Sequence, residues 1–278
     1  MSKTLEELRA DLGRAAGKFH TGTATGGSTS TIIDTNGLDA FPEDDSLNGA
    51  LAYIRTDAGG AGAAPQGESK TITDHVNSTN TLTLESVLTA AVASGDTYEV
   101  YRTPLTIAQW NEAINLAISQ AWPEVWRQEV LAVTLGTAAD SASLVASSAD
   151  VWDVVRIWAQ VTSLSTRWQE VPRGFWFYDA ENTTVYLRQK LLAGTLLRIL
   201  IKDKFPMLTA GASTTLDYDY VLAAAQGNLY GMLAESTGGS DASRYLTLMS
   251  HWQDVAAKRK QELVKQLEGL PLSLGGKK

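Results

Sequence analysis

The hydrophobic pattern changes period several times along the chain. Leu5, Leu8 and Leu12 recur at spacings of three and four. They follow Thr4-Leu5-Glu6-Glu7, a capping box in which Thr4 can accept the Glu7 amide and Glu7 can reach back. This predicts a short amphipathic helix, weakened at Gly13 and Gly17, that needs a surface to dock on. From Thr21 the character is β. The Thr/Gly/Ser-rich stretch Thr21–Asp34 ends in Ile32-Ile33, Asn36-Gly37 signals a turn, and Leu47–Arg55 is a further apolar patch. Thr71-Ile72-Thr73, Thr81–Glu85 and Thr97–Arg102 read as strands by alternation and β-branching. Val87–Ala93 fits either helix or strand, and Asp57–Ser69, with Gly59-Gly60 and Gly62, reads as a mobile loop. Thr106-Ile107-Ala108-Gln109 is a second capping box. Ile107, Trp110, Ile114, Ile118 and Ala121 follow at helical spacing until Pro123. A second β-rich run comes next: Glu129–Thr134, Leu144–Ala146, Val151–Val161, Phe175–Tyr178, Thr184–Arg188 and Leu196–Lys202, with Asp179–Asn182 as a hairpin turn.

Two helices close the chain, Asp217–Glu235 and Asp241–Leu267, separated by Thr237-Gly238-Gly239-Ser240. Val221, Ala225, Asn228, Met232 and Leu233 trace one side of the first, and the small residues Ala223–Gly227 allow close approach. The second carries a stripe of Tyr245, Leu248, Trp252, Val255, Ala256 and Leu263, is capped by Ser240 or Asp241, and places Lys258, Arg259, Lys260 and Lys265 in its last turns. The expected fold is α+β: a four-helix bundle core interrupted by two β-rich insertions, each a small barrel or sandwich. Residues 1–20, 103–127 and 212–268 form the helical core, 21–102 and 128–211 the insertions, and 269–278 a tail.

Charge and composition narrow the chemistry. The 278 residues carry a net charge of −8 with His neutral, and include no cysteine. Disulfides and thiolate metal sites are excluded, and an acidic surface disfavours tight binding to phosphate backbones. No apolar run approaches the ~20 residues that cross a bilayer, and the N-terminus lacks the apolar core of a signal peptide, so assembly in the cytoplasm and no membrane contact are expected. His20, His75 and His251 have no second ligand at metal spacing. Glu43-Asp44-Asp45 and Asp217-x-Asp219 lack the alternation and distal Glu of a calcium loop. No phosphate-binding loop or nucleophile elbow is present. No catalytic residue, metal or cofactor is assigned. Trp152, Trp158, Trp168 and Trp176 fit a core or interface role, with a sugar-binding platform as the alternative.

The hairpin Leu222-Ala223-Ala224-Ala225-Gln226-Gly227-Asn228-Leu229-Tyr230, the turn Thr237–Asp241 and Tyr245…Trp252-Gln253-Asp254…Lys258 resemble the C-terminal part of head–tail connector (adaptor) proteins of tailed bacteriophages. Ser94–Tyr101 looks like the β-insertions of phage structural proteins. The resemblance implies a non-enzymatic virion protein of the neck: a ring, typically twelve-fold, docked on the portal protein and bound on its far face by the next neck or tail protein. DNA would pass through the lumen without sequence-specific binding. The resemblance also implies portal docking by Leu270, Pro271, Leu272, Leu274, Lys277 and Lys278, and packing between subunits by Ala224, Gly227, Tyr230, Tyr245 and Trp252. Another neck or tail-completion protein, or a carbohydrate-binding tail module, are the competing expectations.

Overall fold

The computed structural model describes residues 2–60, 63–136, 140–144, 151–160, 167–188, 190–192 and 194–269. The first half runs β1 (Lys3–Thr4), α1 (Leu5–Ala15), β2 (Phe19–Thr23), β3 (Gly26–Gly27), β4 (Thr31–Ile33), β5 (Leu51–Thr56), β6 (Ser69–Val76), β7 (Thr81–Leu84), β8 (Thr97–Tyr101) and α2 (Ile107–Ala121). The second runs β9 (Arg127–Thr134), β10 (Ser141–Ser143), β11 (Val151–Gln160), β12 (Trp168–Val171), β13 (Trp176–Asp179), β14 (Thr184–Leu187), β15 (Leu196–Asp203), β16 (Ser213–Thr214), α3 (Tyr218–Ser236) and α4 (Gly239–Gly269). The chain forms two compact units, Met1–Ala117 with Leu208–Arg259, and Ile118–Met207 with Lys260–Lys278. Residues 61–62 of the expected loop, 145–146 of one expected strand and the whole stretch 270–278 lie outside the described residues.

Unit 1 is built on a seven-stranded antiparallel sheet in the order β2-β8-β5-β6-β7-β4-β3. Its two edge strands are consecutive pieces of one stretch, Phe19–Gly27. Between them, the Ala24 N–H donates to the Asp96 carbonyl (2.7 Å) and the Ala24 carbonyl accepts from Gly95, while the Thr25 N–H donates to Ile33 (2.7 Å). One stretch therefore pairs with β8 on one side and β4 on the other, and the sheet closes into a small barrel with no free edge. Alternation turns Ala52, Ile54, Leu82 and Leu84 inward, where they meet Ile32, Ile72, Tyr98 and Val100 in one buried core. Val87–Ala93 is neither helix nor strand. The Leu88 and Val92 amides donate to the carbonyls of Thr29 and Ser28, and both side chains join the barrel core. The Asp57–Ser69 loop is pinned: Ala58 N–H donates to Asp96 Oδ1 (2.8 Å), Gly67 N–H to Ile54, and the Glu68 carboxylate accepts from Thr89.

The expected four-helix bundle core is overturned. Four helices are present among the described residues, but four sheets of two, three, four and seven strands dominate the fold. The physical reason lies in what the apolar faces meet. Helix α1 spans 11 residues and turns Arg9 onto the barrel strand β8. Helix α4 spans 31 residues, yet of its described side chains only Ala256 is fully buried. Only α3 is buried nearly all round, and its apolar positions show almost no one-sided stripe. Helical spacing reveals an apolar face; it does not say that a helix covers it.

Both capping boxes form. Thr4 Oγ1 accepts from the Glu7 amide (3.2 Å) and the Thr4 amide donates to Glu7 (2.9 Å). Thr106 and Gln109 exchange the same pair at 2.9 and 3.3 Å. Each satisfies two of the donors a helix start leaves unpaired.

Unit 2 holds a four-stranded sheet, β12-β11-β15-β9, and a three-stranded sheet, β10-β14-β13, all antiparallel. Their inner faces share a core that includes Leu131, Val154, Ile157, Trp176, Val185, Leu197, Ile199 and Ile201. Strand β12 was absent from the sequence expectation; its Trp-Gln-Glu-Val run is half-buried or exposed throughout and shows no alternation.

Candidate functional site

The residues expected to pack between subunits lie on the α3–α4 hairpin of unit 1. Ala224 and Gly227 are buried within the chain. A Cβ placed on Gly227 would sit 3.1 Å from Gln253 Cγ and 3.5 Å from the Gln253 amide, so glycine is what lets α4 approach α3 here. Tyr230 and Tyr245 stack on one another, with ring centres 6.1 Å apart and planes inclined by 21°. Burial, then Tyr245, raises the Tyr230 phenol above its usual range. Trp252 is half-buried, with its ring edge toward His251. The small residues thus seat one helix of the hairpin on the other. The expected portal-docking residues Leu270, Pro271, Leu272, Leu274, Lys277 and Lys278 lie outside the described residues.

Asp217 fixes the open end of the hairpin. As N-cap of α3 it accepts from the Tyr220 amide (3.0 Å), and it holds Arg259 of α4 by two bonds of 2.9 Å each. Arg259 holds its carboxyl below the usual range, with the Tyr220 amide helping and partial burial opposing. A depressed folded-state value means that this stabilisation is complete above the unfolded carboxyl pKa of about 3.9 and is lost as pH falls through the folded value. Asn caps as well as Asp, so Asp217→Asn isolates the ion pair. The variant is expected to cost about 1 kcal/mol or less at neutral pH, because both side chains are partly solvated. The parent is expected to gain extra opening of α4 below about pH 4, and the variant to lack it. Hydrogen exchange of the α4 amides measures both; a parent and variant with the same acid profile would refute the pairing. Lys260 donates to the Gln120 carbonyl (2.8 Å) and to Glu124 (2.9 Å). Arg259 and Lys260 therefore act through ion pairs, well before the end of α4, rather than as last-turn charges.

A buried polar cluster on unit 1 escaped the sequence reading. Arg9 and Glu99 are 2% and 0% exposed and meet at 3.0 Å. Arg9 also donates to the Tyr101 hydroxyl (3.0 Å) and to Asn111 (3.1 Å), and its guanidinium lies over the Tyr53 ring. The Tyr101 hydroxyl donates to Glu99 at 2.7 Å. Burial and Glu99 push the Tyr101 phenol far above its usual range. Burial opposes the Arg9 charge, but Tyr101 and Glu99 outweigh it, so the guanidinium is held more firmly protonated than usual. The donors of Arg9 and Tyr101 converge on one oxygen of Glu99, and the cluster ties α1, α2 and β5 to β8; it is a structural network.

Among the described residues, no group of three or more His, Asp or Glu is placed to hold a metal ion, and no helix is long and apolar enough to cross a membrane. The four tryptophans do not form a platform. Trp158 and Trp176 are buried, and Trp176 donates its indole N–H to the Val171 carbonyl (3.1 Å). Trp168 lies under Arg198, and Trp152 is exposed with its ring edge against Trp122. Phe175 and Phe177 are exposed as well, and Phe177 stacks on Tyr186. A cavity of about 460 Å³ opens next to Phe175, lined also by Gln169, Pro172, Leu187, Leu191 and Leu192. No protein-family model matches the sequence, and no curated protein sequence matches it.

Proposed function

We propose that this chain is a structural virion protein, a head–tail adaptor that forms a ring on the portal, joins the capsid vertex to the neck and lines the DNA passage. The observation that supports the reading is the α3–α4 hairpin. The residues that resemble the connector proteins fold as one closely seated helix pair, with α3 buried and most of α4 left accessible. The reading rests on this hairpin and not on a helical bundle. A net charge of −8 also suits a channel through which DNA must slide without sticking. In this reading the stretch 270–278 docks on the portal.

Electron microscopy of the protein alone and mixed with a portal tests the proposal. A cyclic assembly on the portal axis is expected, lost when residues 270–278 are deleted. A protein that ignores the portal in every mixture sinks the adaptor reading. Binding only in the presence of a further neck protein would make it a tail-completion component instead. Retained binding after the deletion would remove the docking role of the tail.

A further inference from the structure

We propose that the aromatic and basic outer face of the three-stranded sheet in unit 2 docks against the acidic end of the barrel in unit 1 of a second copy of this chain. On the first surface, β13 and β14 pair Phe177 with Tyr186, and their rings stack at 5.0 Å and 15°. Phe175 and Arg188 lie just beyond one end of this strand pair, where the Arg188 amide donates to the Phe175 carbonyl (2.7 Å), and Asp179 lies at the other end. Phe175 and Phe177 are 46% and 49% exposed. Arg188 and Lys190 are exposed and form no ion pair among the described residues. Exposed aromatic area with unpaired cations around it has the composition of a protein interface.

The second surface supplies what this patch lacks. Asp39, Glu43, Asp44 and Asp45 are exposed at one end of the barrel. The Asn80 side chain reaches Asp39 (3.0 Å) and the Asn77 amide reaches Asp44 (2.7 Å), which gathers the carboxylates around the turn between β6 and β7. None of the four forms an ion pair among the described residues. The asymmetry extends to whole units. Unit 1 has 10 Lys and Arg against 20 Asp and Glu; unit 2 has 13 against 11. Two like units therefore repel or ignore each other, while unlike units attract. A contact of unit 2 on unit 1 joins unlike patches, and repeated from copy to copy with a rotation that closes it forms a ring. Nucleic acid is the less favoured occupant. The chain as a whole is acidic and repels a phosphate backbone.

This deepens the adaptor reading, on which it rests for the expectation that copies pack side by side, but it is tested without a portal. Sedimentation of the full chain is measured up to about 500 μM, a range that detects contacts worth only ~5 kcal/mol. Self-association is expected, weakened at least tenfold between about 50 mM and about 500 mM salt, as screening of exposed charges requires. The variants Arg188→Glu/Lys190→Glu and Glu43→Lys/Asp45→Lys are each expected to remain monomeric. Their equimolar mixture is expected to associate again, because the reversed surfaces complement one another; that recovery also shows that both variants fold. A parent that stays monomeric, association indifferent to either variant, or a mixture that stays monomeric overturns the proposal. Duplex DNA binding lost in Arg188→Glu/Lys190→Glu, with self-association unchanged, would assign the patch to nucleic acid. Portal binding by a protein that does not self-associate would leave the adaptor reading standing and remove this one.

Discussion

Arg9→Met is expected to destabilise unit 1 by about 3–5 kcal/mol, the usual consequence of leaving one member of a buried ion pair without the other. Methionine retains most of the volume, so the loss is electrostatic. Glu99 is wholly buried and one of its oxygens already accepts no hydrogen bond. Arg55 stands 3.8 Å from the other Glu99 oxygen and is about one-third exposed, a longer and more solvated pair than Arg9 makes. Removal of the guanidinium also strips a donor from Asn111 and the cation over Tyr53. The double variant Arg9→Met/Glu99→Gln is expected to recover a large part of the cost. Gln keeps an acceptor for the Tyr101 hydroxyl and carries no charge to desolvate. Hydrogen exchange of the β8 amides in urea reads unit 1 without assuming that both units unfold together. If Arg9→Met leaves that exchange unchanged, or if the double variant is as unstable as the single, the cluster does not hold the barrel to α1 in the way described.

The same cluster shows what the sequence could and could not reveal. Thr4 with Glu7, and Thr106 with Gln109, are contacts three residues apart, and local spacing was enough to find them. The strand Thr81–Leu84 was legible because one face is Thr and the other Leu. Arg9 and Glu99 lie 90 positions apart, and nothing in the Leu-Arg-Ala run of α1 marks a charge as buried. Barrel closure was hidden for a related reason. Phe19–Gly27 is Thr- and Gly-rich, with little apolar alternation, and its role is set by partners near Asp96 and Ile33. The bundle expectation failed because α3, small and apolar all round, gives no direction, while α4 has a stripe that is only half covered. The candidate docking patch was concealed by its own composition. Phe175-Trp176-Phe177-Tyr178 is aromatic on both faces of the strand, so alternation cannot say which side is core. The sequence reading followed the tryptophans, and the exposed face belongs to the phenylalanines.

Trp176→Ala is the second large effect expected, about 3–5 kcal/mol against unit 2, the range for removing a wholly buried aromatic side chain. Trp176 is 3% exposed within the core that joins the two sheets, with Arg173 stacked over its ring at 3.8 Å. Its indole N–H is bonded to Val171, so the ring is held at both its apolar and its polar end. Trp152→Ala is expected to cost less than about 1 kcal/mol, because Trp152 is 62% exposed and meets Trp122 in an edge-to-face contact. Urea unfolding followed by exchange of the β15 amides separates the two. The contrast also decides the carbohydrate alternative. A platform would place both indoles against a sugar face, so both variants would fold normally and lose glycan binding together. A core residue beside a surface residue predicts the opposite: one variant loses stability and the other loses almost nothing. Trp176→Phe sharpens the comparison, since it keeps an aromatic ring in the core but gives up the bond to Val171. A partial loss, well short of that for alanine, is the result that packing requires. Full stability in Trp176→Ala would mean that the two sheets of unit 2 are not held together by the core described.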